Sequence, residues 1–91
     1  MAVIDMVAKE LHMKPNELIK ESLKNYLERK ITTIEAEIFV IAKKYGVKDI
    51  FELDAKIKEG IVRESDSYDD YFALDNLEAE CEKLKKIAKK L

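Results

Sequence analysis

Ninety-one residues make one domain, 1–91, and a chain of this size buries a modest share of its surface, so a partner subunit would add to its stability. Ala, Glu, Lys, Leu and Arg account for 46 of the 91 residues, against two Gly and one Pro, which is the composition of long helices. A net charge of -2 and a pI near 5.5 argue against a nucleic-acid binder, the single Cys81 excludes an intrachain disulfide framework, and no apolar run reaches the roughly 18 residues of a membrane span. With no basic-then-apolar leader at the start, a cytoplasmic protein without a membrane association is expected.

Val3, Ile4, Val7, Ala8 and Leu11 recur at helical spacing, which predicts a short first helix over residues 2–12. It ends there because Pro15 disfavours the α conformation in Lys14, and Pro15 then suits the first position of a second helix. No further breaker occurs before Gly46, so this second helix should run from about 15 to 45, roughly 46 Å at 1.5 Å per residue. Leu27, Ile31, Ile34, Ile38, Ile41 and Tyr45 alternate spacings of four and three, a coiled-coil seam. The run Ile38-Phe39-Val40-Ile41-Ala42 is apolar on every side, and one antiparallel neighbour would not cover it.

Gly46 is a left-handed helix stop, with Val47 placed to pack back. Asp49-Ile50-Phe51-Glu52 has the form of a capping box, predicting a third helix over about 50–59 that ends at Gly60, with Ile50, Phe51, Leu53 and Ile57 on its apolar face. Ser67 resembles a further cap with Asp70 three residues on, so a C-terminal helix is predicted over about 68–90. Leu74, Leu77, Cys81, Leu84, Ala88 and Leu91 give it a seam of its own. Two seamed helices joined through a short one predict an all-α fold: an antiparallel helical hairpin over 31–91, preceded by a helical pair within 1–30. The spacing leaves open whether the seams meet within one chain or between two.

The stretch Asp5–Arg29, "DMVAKELHMKPNELIKESLKNYLER", resembles the two helices of the ribbon-helix-helix family, which includes many antitoxins. In that family the helices interlock in a dimer and a preceding strand enters the DNA major groove. The residues before Val3 leave no length for the strand, so contact through it is not expected. What the resemblance implies is a homodimer joined through Val3, Val7, Leu11, Leu18, Leu23 and Leu27. The whole chain is also similar to small archaeal proteins of antitoxin type, carried by the corner Lys44–Asp54 and the acidic-aromatic stretch Asp66–Leu74.

Charge is unevenly distributed. Residues 1–48 carry nine basic and seven acidic groups, residues 49–82 three and twelve, and residues 83–91 five and none. The densest acidic stretch, Glu64–Asp75, lacks the glycine and the distant Glu of a calcium loop, and acids gather at a helix start because the dipole favours them there. Its aromatics suggest a contact patch for a basic protein, toxin-like under the resemblance, with Asp66, Tyr68, Asp69, Asp70 and Tyr71 as the binding residues. The lysine-rich tail would find its charge partners in the acidic middle of the chain.

His12 stands without an acid or cysteine partner, and Cys81 falls on a seam, so neither suggests catalysis. No enzyme, cofactor or metal is expected, and the reading is a protein-protein interaction module. The alternative is a nucleic-acid-binding regulator using Lys14, Lys20, Lys24 and Lys30. Those lysines alternate with Glu17, Glu21 and Glu28 rather than forming a basic face.

Overall fold

The computed structural model describes residues 2–91, and they form four helices: α1 (Ala2–Glu10), α2 (Pro15–Tyr45), α3 (Ile50–Lys58) and α4 (Glu64–Lys89). They build a rod of 60 × 19 × 18 Å. Its spine is an antiparallel pairing of α2 with α4 inside one chain. The predicted seams make that pairing, with Leu27, Ile34 and Ala42 of α2 and Leu74 and Cys81 of α4 buried along it.

Three of the four helices end by the same local device. The N–H of Gly46 donates to the Lys43 carbonyl and that of Val47 to the Ala42 carbonyl, 3.2 and 3.0 Å. Gly60 and Ile61 close α3 in the same way onto Ile57 and Lys56. Both glycines have positive φ, 65° and 78°, the left-handed geometry that this closure requires. At the end of α1 the same position falls to His12, φ 58°, with His12 and Met13 donating to Lys9 and Ala8. A Cβ in this region is strained, although histidine tolerates it better than most residues.

The main core lies at one end of the rod, where α3 folds across the hairpin. Ala42, Val47, Ile50, Leu53 and Leu74 form it, with Ile38, Ile41, Tyr45, Ile57, Val62 and Tyr71 packed around them. Polar clamps hold α3 at both of its ends. The carboxylate of Glu78 on α4 accepts from the Ile50 N–H at 2.8 Å, alongside the Asp49 cap to Glu52, and Lys56 Nζ donates to the terminal carbonyls of α2, Tyr45 at 2.9 Å and Gly46 at 3.3 Å.

Two local expectations change. α4 starts a turn before the expected cap, because Glu64 and Asp66 supply the acids of its first turn while the Ser67 hydroxyl turns back to the Arg63 carbonyl at 3.0 Å. Ser67 is fully buried, a small residue where α3 lies against α4. Phe51 does not join the apolar face of α3, since it sits about 100° round the helix from Ile50 and nearly opposite Leu53, and is 79% exposed.

Candidate interaction surfaces

The first turns of α4 present two different faces. One face turns inward: Asp70 Oδ2 accepts from Lys44 Nζ at 2.8 Å and from the Tyr45 hydroxyl, joining α4 to the end of α2. The Lys44 ammonium and the Tyr45 hydroxyl hold the Asp70 carboxyl below the usual carboxylate range, while burial pushes the Tyr45 phenol up. Tyr71 is half-buried on the core and its hydroxyl donates to Asp54 at 3.4 Å, so the negative charge of Asp54 raises its pKa. Asp70 and Tyr71 are therefore engaged within the chain.

The outer face carries Tyr68 and Phe72, one helical turn apart, 58% and 48% exposed, with their rings edge to face at 4.9 Å. Asp69 and Asp75 are exposed to either side of them, and Asp66 is exposed in the first turn. Asp66 has one loose in-chain ion pair, with Arg63 at 4.0 Å. Of the five residues expected to bind a partner, the structure leaves Tyr68 on this ridge with Asp69 beside it and adds Phe72, whose place one turn after Tyr68 was the available signal; Asp66 is exposed but lies round the helix from Tyr68. A 190 Å³ hollow opens between Tyr68, Phe72 and the side of α3 at Asp54 and Ile57.

The second surface lies at the opposite end of the rod. α1 packs back on the first turns of α2 through the fully buried Ala8 and leaves an apolar crevice of about 370 Å³ lined by Val3, Ile4, Val7, Leu18, Ile19 and Leu23. Val3, Val7 and Leu23 are exposed along it, Leu18 is half-buried, and Leu11 is exposed outside its lining. Leu27 departs from this group: it is only 8% exposed and belongs to the α2/α4 seam.

The lysine tail meets the acidic block at its near edge, where Lys86 pairs with Glu82 at 3.4 Å. Antiparallel pairing puts the end of α4 beside residues 27–35 of α2, where Lys85 meets Glu35 at 3.1 Å, while the acidic end of the rod lies at the far side of the hairpin. The acids of α3 and of the first turns of α4 are thus kept from the lysine tail by the fold. Lys14, Lys20, Lys24 and Lys30 are exposed on several sides of α2 with glutamates between them. Among the described residues, no group of three or more His, Cys, Asp or Glu is placed to hold a metal ion. None of the described helices is long and apolar enough to cross a membrane. Cys81 is buried on the seam.

These features define a class: a small, elongated all-α protein built on one helical hairpin, with apolar and acidic surfaces left open. The chain belongs to the Uncharacterized protein MJ0235 family, whose model matches residues 1–91. No curated protein and no solved structure matches it.

Proposed function

We propose that this protein is a non-enzymatic protein-protein interaction module, antitoxin-like in kind, that captures a small basic protein on the outer ridge of α4. The observation that carries the reading is the Tyr68–Phe72 ring pair, exposed between the carboxylates of Asp69 and Asp75, with Asp66 exposed in the same first turns. Exposed aromatics supply the buried anchor of an interface, and surrounding carboxylates steer a basic partner and fix its register. Asp70 and Tyr71 serve this surface indirectly, by fastening the start of α4 to α2 and α3. A homodimer joined through Val3, Val7, Leu11 and Leu23, with Leu18 at the base of the crevice, would present the ridge twice.

Removing three charges while keeping the helix tests this. Asp66→Asn with Asp69→Asn and Asp75→Asn is expected to leave the circular dichroism spectrum unchanged. Binding of the basic partner, measured by calorimetry, should weaken at least tenfold and lose most of its salt dependence. Unchanged affinity in the triple variant would remove the ridge from the binding surface.

A further inference from the structure

The 190 Å³ hollow between α3 and the first turns of α4 is lined by three aromatic rings, Tyr68, Tyr71 and Phe72. Phe72 meets Tyr68 at 4.9 Å and Tyr71 at 5.5 Å, with interplanar angles of 67° and 84°. Rings inclined this steeply cannot share a plane, so they close on the hollow from more than one side and hold one another in place. Glu64 belongs to the same face: it and the three rings fall within an arc of about 100° around α4. The Tyr71 hydroxyl is committed to Asp54 at 3.4 Å, which leaves its ring as the part open to a ligand.

The charges of the lining indicate what fits there. An aromatic face carries negative potential and attracts a cation placed within about 6 Å of its centroid. Asp54 spends much of its charge on Lys58 at 2.8 Å, whereas Glu64, exposed at the rim, makes no ion pair with any described residue. Asp75, exposed one turn beyond Tyr71, adds its negative field. The Ser67 hydroxyl is occupied by the Arg63 and Glu64 carbonyls at 3.0 and 3.4 Å. The hollow therefore offers ring faces, an apolar wall at Ile57 and one uncommitted carboxylate. At roughly 30 Å³ per water molecule it has room for about six, which suits the four-carbon stem and compact ammonium of one lysine. Lysine lays such a stem along apolar surface and keeps its charged head at the polar end. An ammonium that retains its N–H groups can donate to Glu64 while facing the rings, which a fully methylated nitrogen cannot.

We propose that this hollow seats a single lysine side chain of the basic partner, its stem against Ile57 and the rings and its ammonium between the ring faces and Glu64. The assignment rests on the α4 ridge being that partner's contact, and adds the side-chain chemistry that anchors it.

The probe is the capped tripeptide acetyl-Gly-Lys-Gly-amide, compared with its norleucine counterpart, which keeps the apolar stem and lacks the charge. Ring resonances of Tyr68, Tyr71 and Phe72 in the full chain are followed by NMR as either peptide is added at low salt. The lysine peptide is expected to shift these rings with a dissociation constant in the millimolar range, and the norleucine peptide to bind roughly fivefold or more weakly. Phe72→Leu keeps an apolar side chain in the helix but removes a ring face. It should weaken the lysine peptide by roughly threefold or more and leave the norleucine peptide unaffected. Glu64→Gln, which removes the uncommitted charge, should do the same, with the circular dichroism spectrum unchanged in both variants. Equal affinity for the two peptides, or an undiminished lysine affinity in either variant, would overturn the proposal. The lysine seat and the ridge fail separately. A basic partner that binds Phe72→Leu as it binds the wild type, yet is lost from the Asp66→Asn, Asp69→Asn, Asp75→Asn variant, overturns the lysine seat and leaves the ridge. A lysine peptide that shifts the rings while the triple variant keeps full affinity for the partner removes the ridge and leaves the hollow as an ammonium site.

Discussion

Leu74→Ala tests where the core lies. Leu74 is fully buried where α2, α3 and α4 meet, packed among Ala42, Val47, Ile50 and Leu53. Leucine-to-alanine changes at such sites cost about 3–5 kcal/mol, combining lost transfer energy with the cavity left behind. The total stability expected for 91 residues is about 5–14 kcal/mol, so the substitution removes a large fraction of it. At about 4–8 °C per kcal/mol, the midpoint of thermal unfolding should fall by at least 12 °C. The assay is urea and thermal unfolding followed by circular dichroism at one fixed protomer concentration, because association shifts apparent stability. Phe51→Ala, on the exposed side of α3, is the control and should stay within about 0.5 kcal/mol. A loss below about 1 kcal/mol for Leu74→Ala, or one equal to the control, would refute the placement of the core at the α2/α3/α4 junction.

Asp70→Asn should cost about 1 kcal/mol near neutral pH, through the lost charge-assisted contacts to Lys44 and Tyr45. The Asp70 carboxyl is held below its ordinary value of 3.8, so its contribution is fully present above that pH and is lost as pH falls through the folded value. Acid unfolding of the Asn variant should therefore be shallower than that of the wild type. Glu78 moves the other way: burial raises its carboxyl above the ordinary value of 4.5, so the folded state holds the extra proton and stability declines as pH rises from 4.5 through the raised value. Glu78→Gln, which keeps an acceptor for the Ile50 N–H, should abolish that decline in unfolding titrations across pH 4–8, whereas Glu78→Ala should cost about 1 kcal/mol. His12→Gly should stabilise α1 by about 0.5–1 kcal/mol by relieving its left-handed backbone, and a destabilised Gly variant in thermal unfolding would contradict that account.

Helix boundaries and seams were legible because they rest on local signals: Pro15, the two left-handed glycines and the four-three spacing of Leu27 to Tyr45. The exposed middle of α2 was legible as well, since the Ile38–Ala42 run is apolar on more sides than one neighbour can cover. Glu78 capping α3 and Lys56 closing α2 were not, because each acts on backbone distant in sequence, 28 and 11 residues away, and no local pattern announces such a partner. Tyr71 and Asp70 looked equivalent to Tyr68 and Asp69 in the sequence. Only the direction from which α2 and α3 approach α4 separates the inward pair from the outward one. The same geometry bears on the lysine tail: composition suggested neutralisation by the acidic middle, and Lys86 does pair with Glu82, but the antiparallel hairpin carries the rest of that acidic block to the other end and gives Lys85 to Glu35 on α2.

The most direct test of the account is native mass spectrometry of the tagged full chain recovered from its own cells after nuclease treatment, alongside the Asp66→Asn, Asp69→Asn, Asp75→Asn variant. The account predicts a stoichiometric complex with a small basic polypeptide for the wild type and its loss from the variant. Recovery of the wild type without such a polypeptide, or equal recovery of it by both forms, would contradict the account.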